Sequence, residues 1–379
     1  MRIFKDTQFD FIGKRKTAYI FSGVLLFLSL VSLLFRGLEL GIDFKGGSEI
    51  ALGFQDPIEI SEIRNYVTEL GLGNIEVKTF GGETGILVRS ELQEIPADLF
   101  PVVVERIEEI IERNHPGLAY QIVDSTSSSV TYEVNTPDTT RDVMNSLVNA
   151  GFQSTLFNQE PDNKKIVVRV GISDWIQENL REQMPNNPFQ VLKEENVGPK
   201  IGSELKRDAV IAVLLALVVI LIYLGFRFKF VFALGAVTAL FHDVIITLGV
   251  FSLLYGAIPG LNLELSITIV AAFLTLVGYS INDTVIVFDR IRENIKIHKT
   301  APIADNINSA INKTIPRTVI TSVTTLIVVL VLLFFGGEVL RSFAFTLSFG
   351  VLIGTYSSVF VASPFVLEYV KRSKKNIQF

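Results

Sequence analysis

Asp283 is the residue whose surroundings ask most for an explanation. It stands in Gly278-Tyr279-Ser280-Ile281-Asn282-Asp283-Thr284, inside an apolar run from Leu263 to Phe288. A run of that length can cross a membrane as a helix. An ionisable group in hydrocarbon is costly, so it faces protein or water and marks a place where charge is used. At helical spacing Thr275, Tyr279, Asn282, Asp283, Ile286 and Asp289 share one mostly polar face, expected to turn away from lipid. The next apolar run opens with Pro316-Arg317, and Arg317, Thr321 and Thr324 make a stripe along it. Counting about 1.5 Å per residue from the helix ends puts Arg317 and Asp283 at similar depth, so they are expected to meet. Burial disfavours an ionised carboxylate, and a nearby guanidinium favours it. A carboxylate under both influences takes up and releases a proton when a helix shift alters one of them. The alternative for the same pair is a static buried salt bridge that fixes helix register. Asp243, beside His242 near the middle of the run Phe230–Tyr255, is a second candidate for protonation. Its alternative is a structural hydrogen bond to a neighbouring helix.

Other chemistry is thinly represented. The chain has no cysteine, which excludes disulfides, thiol catalysis and cysteine-ligated metals. His115, His242 and His298 lie far apart and form no metal-spaced motif, so neither a metal site nor a cofactor is expected. No nucleophile–base constellation points to an enzyme. Gly41-Ile42-Asp43-Phe44-Lys45-Gly46-Gly47 allows tight turns before a strand. It lacks the lysine-serine/threonine ending of a phosphate loop. Gly235, Ala236 and Ala239, and the pair Gly350 and Gly354, permit close helix contact. Trp175 reads as core of an amphipathic helix.

The elements that must position these residues follow from composition. Hydrophobic residues make up 49% of the 379 and charged residues only 19%, so apolar surface must face lipid. The net charge of −5 is mild and no basic block suggests nucleic acid. The first apolar run, Ala18–Phe35, follows Lys14-Arg15-Lys16 and has no small-residue cleavage site after it, as in an uncleaved signal anchor. Five more runs follow: Ala209–Phe226, Phe230–Tyr255, Leu263–Phe288, Thr318–Phe335 and Ser342–Tyr369. Lys5, Lys14, Arg15, Lys16, Arg227, Lys229, Arg290, Arg292, Lys296, Lys299, Lys313, Arg317, Lys371, Arg372, Lys374 and Lys375 all fall on one side of a six-helix topology. The opposite short loops, Gly256–Asn262 and Gly336–Arg341, contribute only Arg341. That bias places both termini in the cytoplasm and the long segment Gly37–Arg207 outside it.

The long segment reads as a tandem duplication. Alternating apolar residues mark strands, and spacings of three and four mark helices, in the order βαββαβ twice over. Tyr120-Gln121-Ile122-Val123, ending the first copy, echoes Phe189-Gln190-Val191-Leu192, ending the second. The alternative is one irregular α+β domain. The expected fold is an α-helical membrane protein with six transmembrane helices and an α+β external domain of two tandem ferredoxin-like modules. Its parts are an arm (1–17), the first membrane helix (18–35), a first module (36–128), a second module and linker (129–207), membrane helices 2–6 (208–369) and a tail (370–379).

Several of these motifs resemble the SecD/SecF family of the resistance-nodulation-division superfamily. Gly41–Gly47 resembles the GIDFxGG signature shared by its two branches, with Gly41, Gly46 and Gly47 as the motif glycines. Val197–Gly202 resembles the VGPxxG element, with Gly198 and Gly202. His242-Asp243-Val244 is similar to the third-helix motif, and Thr314–Thr325 to the start of the fifth helix. Gly278–Asn294, which opens on Gly278, resembles the fourth-helix signature of the SecF branch and differs from that of SecD. The resemblance implies a six-helix half that pairs with a SecD-like subunit, assists the SecYEG channel and uses the proton-motive force to draw a precursor protein across the bacterial inner membrane. It makes Asp283 the proton-linked aspartate and Arg317 its essential arginine, with Asp243 behind them and Tyr279, Asn282, Thr321 and Thr324 as the supporting polar face. Protons and membrane lipids complete the expected partners. The family's usual external domain is a single ferredoxin-like module, so the second copy is a departure. Two other readings stay open: a proton-coupled exporter of small molecules or lipids from the same superfamily, and a structural scaffold of the translocase.

Overall fold

The computed structural model describes residues 8–160, 162–258 and 260–373. Lys5, Lys374 and Lys375, with the ends of the arm and tail, lie outside the described residues. In chain order the elements are α1 (Arg15–Phe35), α2 (Ile42–Lys45), β1 (Gly47–Phe54), α3 (Ile60–Thr68), β2 (Ile75–Thr79), β3 (Gly85–Ser90), α4 (Phe100–Asn114), β4 (Tyr120–Ser125), β5 (Ser129–Val134), α5 (Pro137–Ala150), β6 (Ser154–Leu156), β7 (Lys165–Arg169), α6 (Ile172–Gln183), β8 (Phe189–Val197), α7 (Pro199–Arg227), α8 (Phe230–Leu254), α9 (Ile267–Ile297), α10 (Ile303–Phe335), α11 (Glu338–Ser357) and α12 (Ser363–Ser373). A π-helical turn, Ser358–Ala362, joins the last two. The chain forms two compact units, residues 42–204 and the remainder.

The larger unit is a helix bundle. Among the described residues six helical segments are long and apolar enough to cross a membrane: α1, α7, α8, α9, α10 and the stretch Glu338–Arg372. Each overlaps one of the six apolar runs, though α8 stops at Leu254 and α9 starts only at Ile267. The helices outrun them where charged residues follow: α9 continues through Asp289–Asn294 to Ile297, and α10 begins at Ile303. Side chains sort by chemistry as an apolar solvent requires. On α1 the serines Ser22, Ser29 and Ser32 are buried while Phe27, Leu34 and Phe35 are exposed. Ser32 bonds Ser252 of α8 at 2.8 Å. Close approach there depends on Gly249, because a Cβ on it would lie 2.2 Å from that of Ser29. Gly350 faces Leu276 and Gly354 faces Ser280 in the same way, so the α11–α9 contact also runs through small residues. Pro364 has no N–H for the carbonyl of Phe360, and the helix widens into its π turn just before that proline. The arm is held by side chains of α10: Phe9 donates its N–H to Asn312 Oδ1 at 2.9 Å and accepts from Asn312 and Asn308.

The smaller unit holds two four-stranded antiparallel sheets, ordered β2-β3-β1-β8 and β4-β5-β7-β6. Every strand and helix expected from periodicity is present, but the division into modules at residue 128 is not how the sheets form. The strand ending each copy joins the other copy's sheet: β8 pairs with β1, and β4 with β5. The helices follow, α6 packing on α3 and β1 and α4 on α5. Only Thr126, Ser127 and Ser128 separate β4 from β5, and so short a link closes a hairpin. One apolar core runs through both halves, from Ile50, Leu52 and Val88 to Val130, Tyr132 and Val168, with Trp175 inside it. On the other face of the first sheet buried Arg89 pairs with buried Glu49, which also accepts from Lys193 at 3.0 Å.

The glycines of the first motif are conformational necessities. Gly46 and Gly47 have φ of 77° and 115°. A Cβ on Gly47 would lie 2.3 Å from the Ser90 carbonyl oxygen. The short helix α2 stands between Gly41 and the strand, so the chain makes a helical turn there before extending. A Cβ on Gly202 would press on Asp43 and Gly46, which brings the two glycine motifs together; Gly198 has room for one.

Candidate functional site

Two polar clusters lie inside the bundle. The first surrounds Asp283, which α9 carries on a face with Ser280, Thr284 and Val287, all buried. Its carboxyl is fully buried. Oδ2 lies 3.4 Å from Ser322 Oγ of α10, and Oδ1 has no hydrogen-bond partner. Ser322 accepts from Tyr279 at 3.2 Å and sits 2.7 Å from Thr355 Oγ1 of α11. Thr318, one turn from Ser322 on α10, is also buried and its hydroxyl has no partner. This hydroxyl shell is sparse for a carboxylate, because each ionised oxygen left without a donor costs about 1–3 kcal/mol.

The second cluster surrounds Asp243 of α8 and is saturated. Oδ2 accepts from Ser280 at 2.6 Å and from Ser357 at 2.7 Å, and Oδ1 lies 2.9 Å from His242 Nδ1. His242 Nε2 reaches Ser22 of α1 at 3.1 Å, and Ser22 reaches Tyr356 at 3.0 Å. The cluster ties α1, α8, α9 and α11 together. Ser280 stands one turn from Asp283 on α9 and donates to Asp243 of α8, so one turn of α9 separates the two clusters.

The expected residues divide. Asp283 and Tyr279 meet in the first cluster. Arg317 is exposed, and among the described residues no ion pair joins it to Asp283. Thr321 and Thr324 bond back to their own helix, to the carbonyls of Arg317 and Ile320. The α10 residue that reaches Asp283 is instead Ser322. On α9, Thr275, Asn282 and Asp289 are exposed, and Asp289 lies 3.4 Å from Arg227. A Cβ on Gly278 would meet only open space. Ser280, Ser322, Thr355 and Ser357 are the residues sequence reasoning missed, because serine and threonine in helices commonly satisfy themselves on their own backbone. The one available signal was spacing: Ser280 and Asp283 share a face at i and i+3. No group of three or more His, Asp or Glu able to hold a metal ion occurs among the described residues.

Comparison with known proteins gives consistent likenesses. Residues 176–372 match the family description "Protein export membrane protein SecD/SecF, C-terminal", and residues 31–58 match "SecD/SecF GG Motif". The protein translocase subunit SecF of Rhodothermus marinus is 42% identical over 98% of this chain and 97% of its own length. That of Calditerrivibrio nitroreducens is 37% identical over 95% of this chain and 94% of its own. The crystal structure of SecDF from Thermus thermophilus, titled a translocon-associated membrane protein, superposes with a TM-score of 0.68 at 31% identity. That likeness covers 97% of this chain and 39% of the SecDF chain.

Proposed function

This chain belongs to the SecD/SecF family of protein-export membrane proteins, and we propose that it serves as the SecF-type subunit of a Sec translocase, coupling proton flow to export through Asp283. The observation that carries the proton-linked part is the contrast between the two buried carboxylates. Asp243 has three polar partners within 2.9 Å, whereas Asp283 has Ser322 at 3.4 Å with Thr355 also near, and an oxygen with no hydrogen bond. A carboxyl so sparsely served is not held in one protonation state by a saturated set of donors, as a relay requires. One charge moved through 100 mV supplies about 2.3 kcal/mol. In this reading Arg317, exposed on α10 and not ion-paired with Asp283 among the described residues, is the positive charge that a helix shift would bring closer.

The chain spans 39% of the solved SecDF chain, and in this reading a separate SecD-like subunit supplies the rest. The exposed face of α9 suits such a contact. Thr268, Ala271, Thr275, Gly278 and Asn282 run along it, small and polar where lipid-facing helices carry large apolar side chains. The further partners are the SecYEG channel and a precursor protein. The setting is the bacterial inner membrane, with both termini cytoplasmic and residues 42–204 on the far side. The role is transport without covalent catalysis.

The test is precursor export into inverted membrane vesicles carrying the full chain and its SecD-like partner, with Asp283→Asn and assembly verified. The variant is expected to lose the gain in export that a proton-motive force gives the wild type. An unchanged gain would rule out Asp283 as the coupling site.

A further inference from the structure

The hydrogens around Asp283 can be counted. Ser322 Oγ accepts from Tyr279 Oη at 3.2 Å. Thr355 has one hydroxyl hydrogen, donated to the Val351 carbonyl at 2.8 Å. While Thr355 keeps its hydrogen on the Val351 carbonyl, the donor in the 2.7 Å contact between Ser322 and Thr355 is Ser322. A hydroxyl has one hydrogen and two acceptor positions. With its hydrogen on Thr355, Ser322 has none left for Asp283 and one acceptor position open toward it. That position suits a hydrogen carried by the carboxyl. When the carboxyl is bare, the Ser322 hydrogen has a stronger claimant, since bonds to ionised acceptors are about twice as strong as neutral ones. It can turn to Oδ2 only by leaving Thr355.

We propose that Ser322 is a positioning residue for the proton on Asp283, its single hydrogen shared between Asp283 of α9 and Thr355 of α11. Each protonation state of the carboxyl then fixes a different link. With the proton present, Asp283 donates to Ser322 and Ser322 to Thr355, which joins α9, α10 and α11 in one chain. With it absent, Ser322 donates to Asp283 and the link to α11 loosens. The exchange moves only hydrogen-bond partners and breaks no covalent bond of the serine. The groups facing the carboxyl are Tyr279 on its own helix, Ser322 and the distant charge of Arg317 on α10, and Thr355 on α11. Asp243 and His242 are engaged with Ser280, Ser357 and Ser22.

This inference rests on the proton-coupled reading of Asp283, and the test separates the two. The full chain with its SecD-like partner is made with Ser322→Ala, Ser322→Thr and Asp283→Asn. Force-dependent export and the infrared carbonyl band of the protonated carboxyl, assigned by its loss in Asp283→Asn, are measured on each. Ser322→Ala is expected to move the band to higher frequency and to cut the force-dependent gain about tenfold, the effect of about one lost hydrogen bond. Ser322→Thr, which keeps the hydroxyl, is expected to restore both. An unmoved band or an unchanged gain in Ser322→Ala, beside a lost gain in Asp283→Asn, overturns the role of Ser322 alone. Loss of the gain in both serine variants with the band in place also overturns it, since packing then explains the loss. An intact gain in Asp283→Asn overturns the parent reading instead.

Discussion

At the scale of single residues, burial by itself does not distinguish the two membrane carboxylates; donors do. Asp243 closes a network of Ser280, Ser357 and His242, so Asp243→Ala leaves those groups without an acceptor. It is expected to destabilise the bundle by about 3 kcal/mol or more, whereas Asp283→Asn stays within about 1 kcal/mol. Unfolding curves of the two variants in the same detergent check the contrast. Another buried acid lies in the smaller unit. Asp174 is fully buried at the start of α6, and burial pushes its carboxyl up to about 6, against Arg169 and the N–H groups of Gln153 and Gly171. Glu194 adds to the rise. With the folded value above the ordinary one, the folded state holds the proton from about pH 4 to about pH 6 while the unfolded chain has lost it. The stabilisation is present at the acid end and is lost as pH rises through about 6. Trp175, the one tryptophan in the chain, is its neighbour in sequence and reports on this unit. Denaturation followed by its fluorescence is expected to show about 1 kcal/mol less stability at pH 7 than at pH 5, and a flatter profile in Asp174→Asn.

At the scale of elements, glycines show which helix faces meet within the chain and which are left for a partner. Gly249 lets α8 approach α1 at Ser29. Gly249→Ala is expected to cost about 1–3 kcal/mol by overpacking, and Ser29→Gly in the same chain to recover most of it. No recovery in the double variant would mean that the two helices do not meet there. Gly278 lies on the exposed stripe of α9 with nothing near it. Gly278→Leu is therefore expected to leave the chain's own unfolding within about 0.5 kcal/mol of wild type while lowering the amount of SecD-like subunit that co-purifies. Equal co-purification would remove that face from the contact. The length of α10 has a similar logic. Its first turns, from Ile303, hold the arm through Asn308 and Asn312 before the helix reaches its apolar run.

At the scale of the whole molecule, the exchanged strands make residues 42–204 one folding unit. The contiguous piece 42–204 is expected to unfold in a single transition, and 129–204 alone, whose first sheet strand lacks β4 and whose β8 lacks β1, to remain unfolded. Circular dichroism and Trp175 fluorescence of the two pieces check this. The absence of cysteine makes topology equally testable. A thiol placed at exposed Ser127 is expected to react from the far side of the membrane, and one at exposed Thr300 from the cytoplasm. By itself the sequence determined the six spans, the strands and helices of the long segment, and Asp283 and Asp243 as buried charges. All of these follow from local patterns: an apolar run must be a helix in lipid, period two marks a strand face, and a lone acid in such a run is costly wherever it sits. Tertiary structure alone decided which sheet each terminal strand completes, since β4 and β8 read alike and either could cap either edge. The short Thr126–Ser128 link was the one clue that β4 stays with β5. Structure also decided that Ser322, rather than Thr321 or Thr324, turns toward Asp283. A residue in a helix can face several neighbours within one turn, and only packing selects the one it meets.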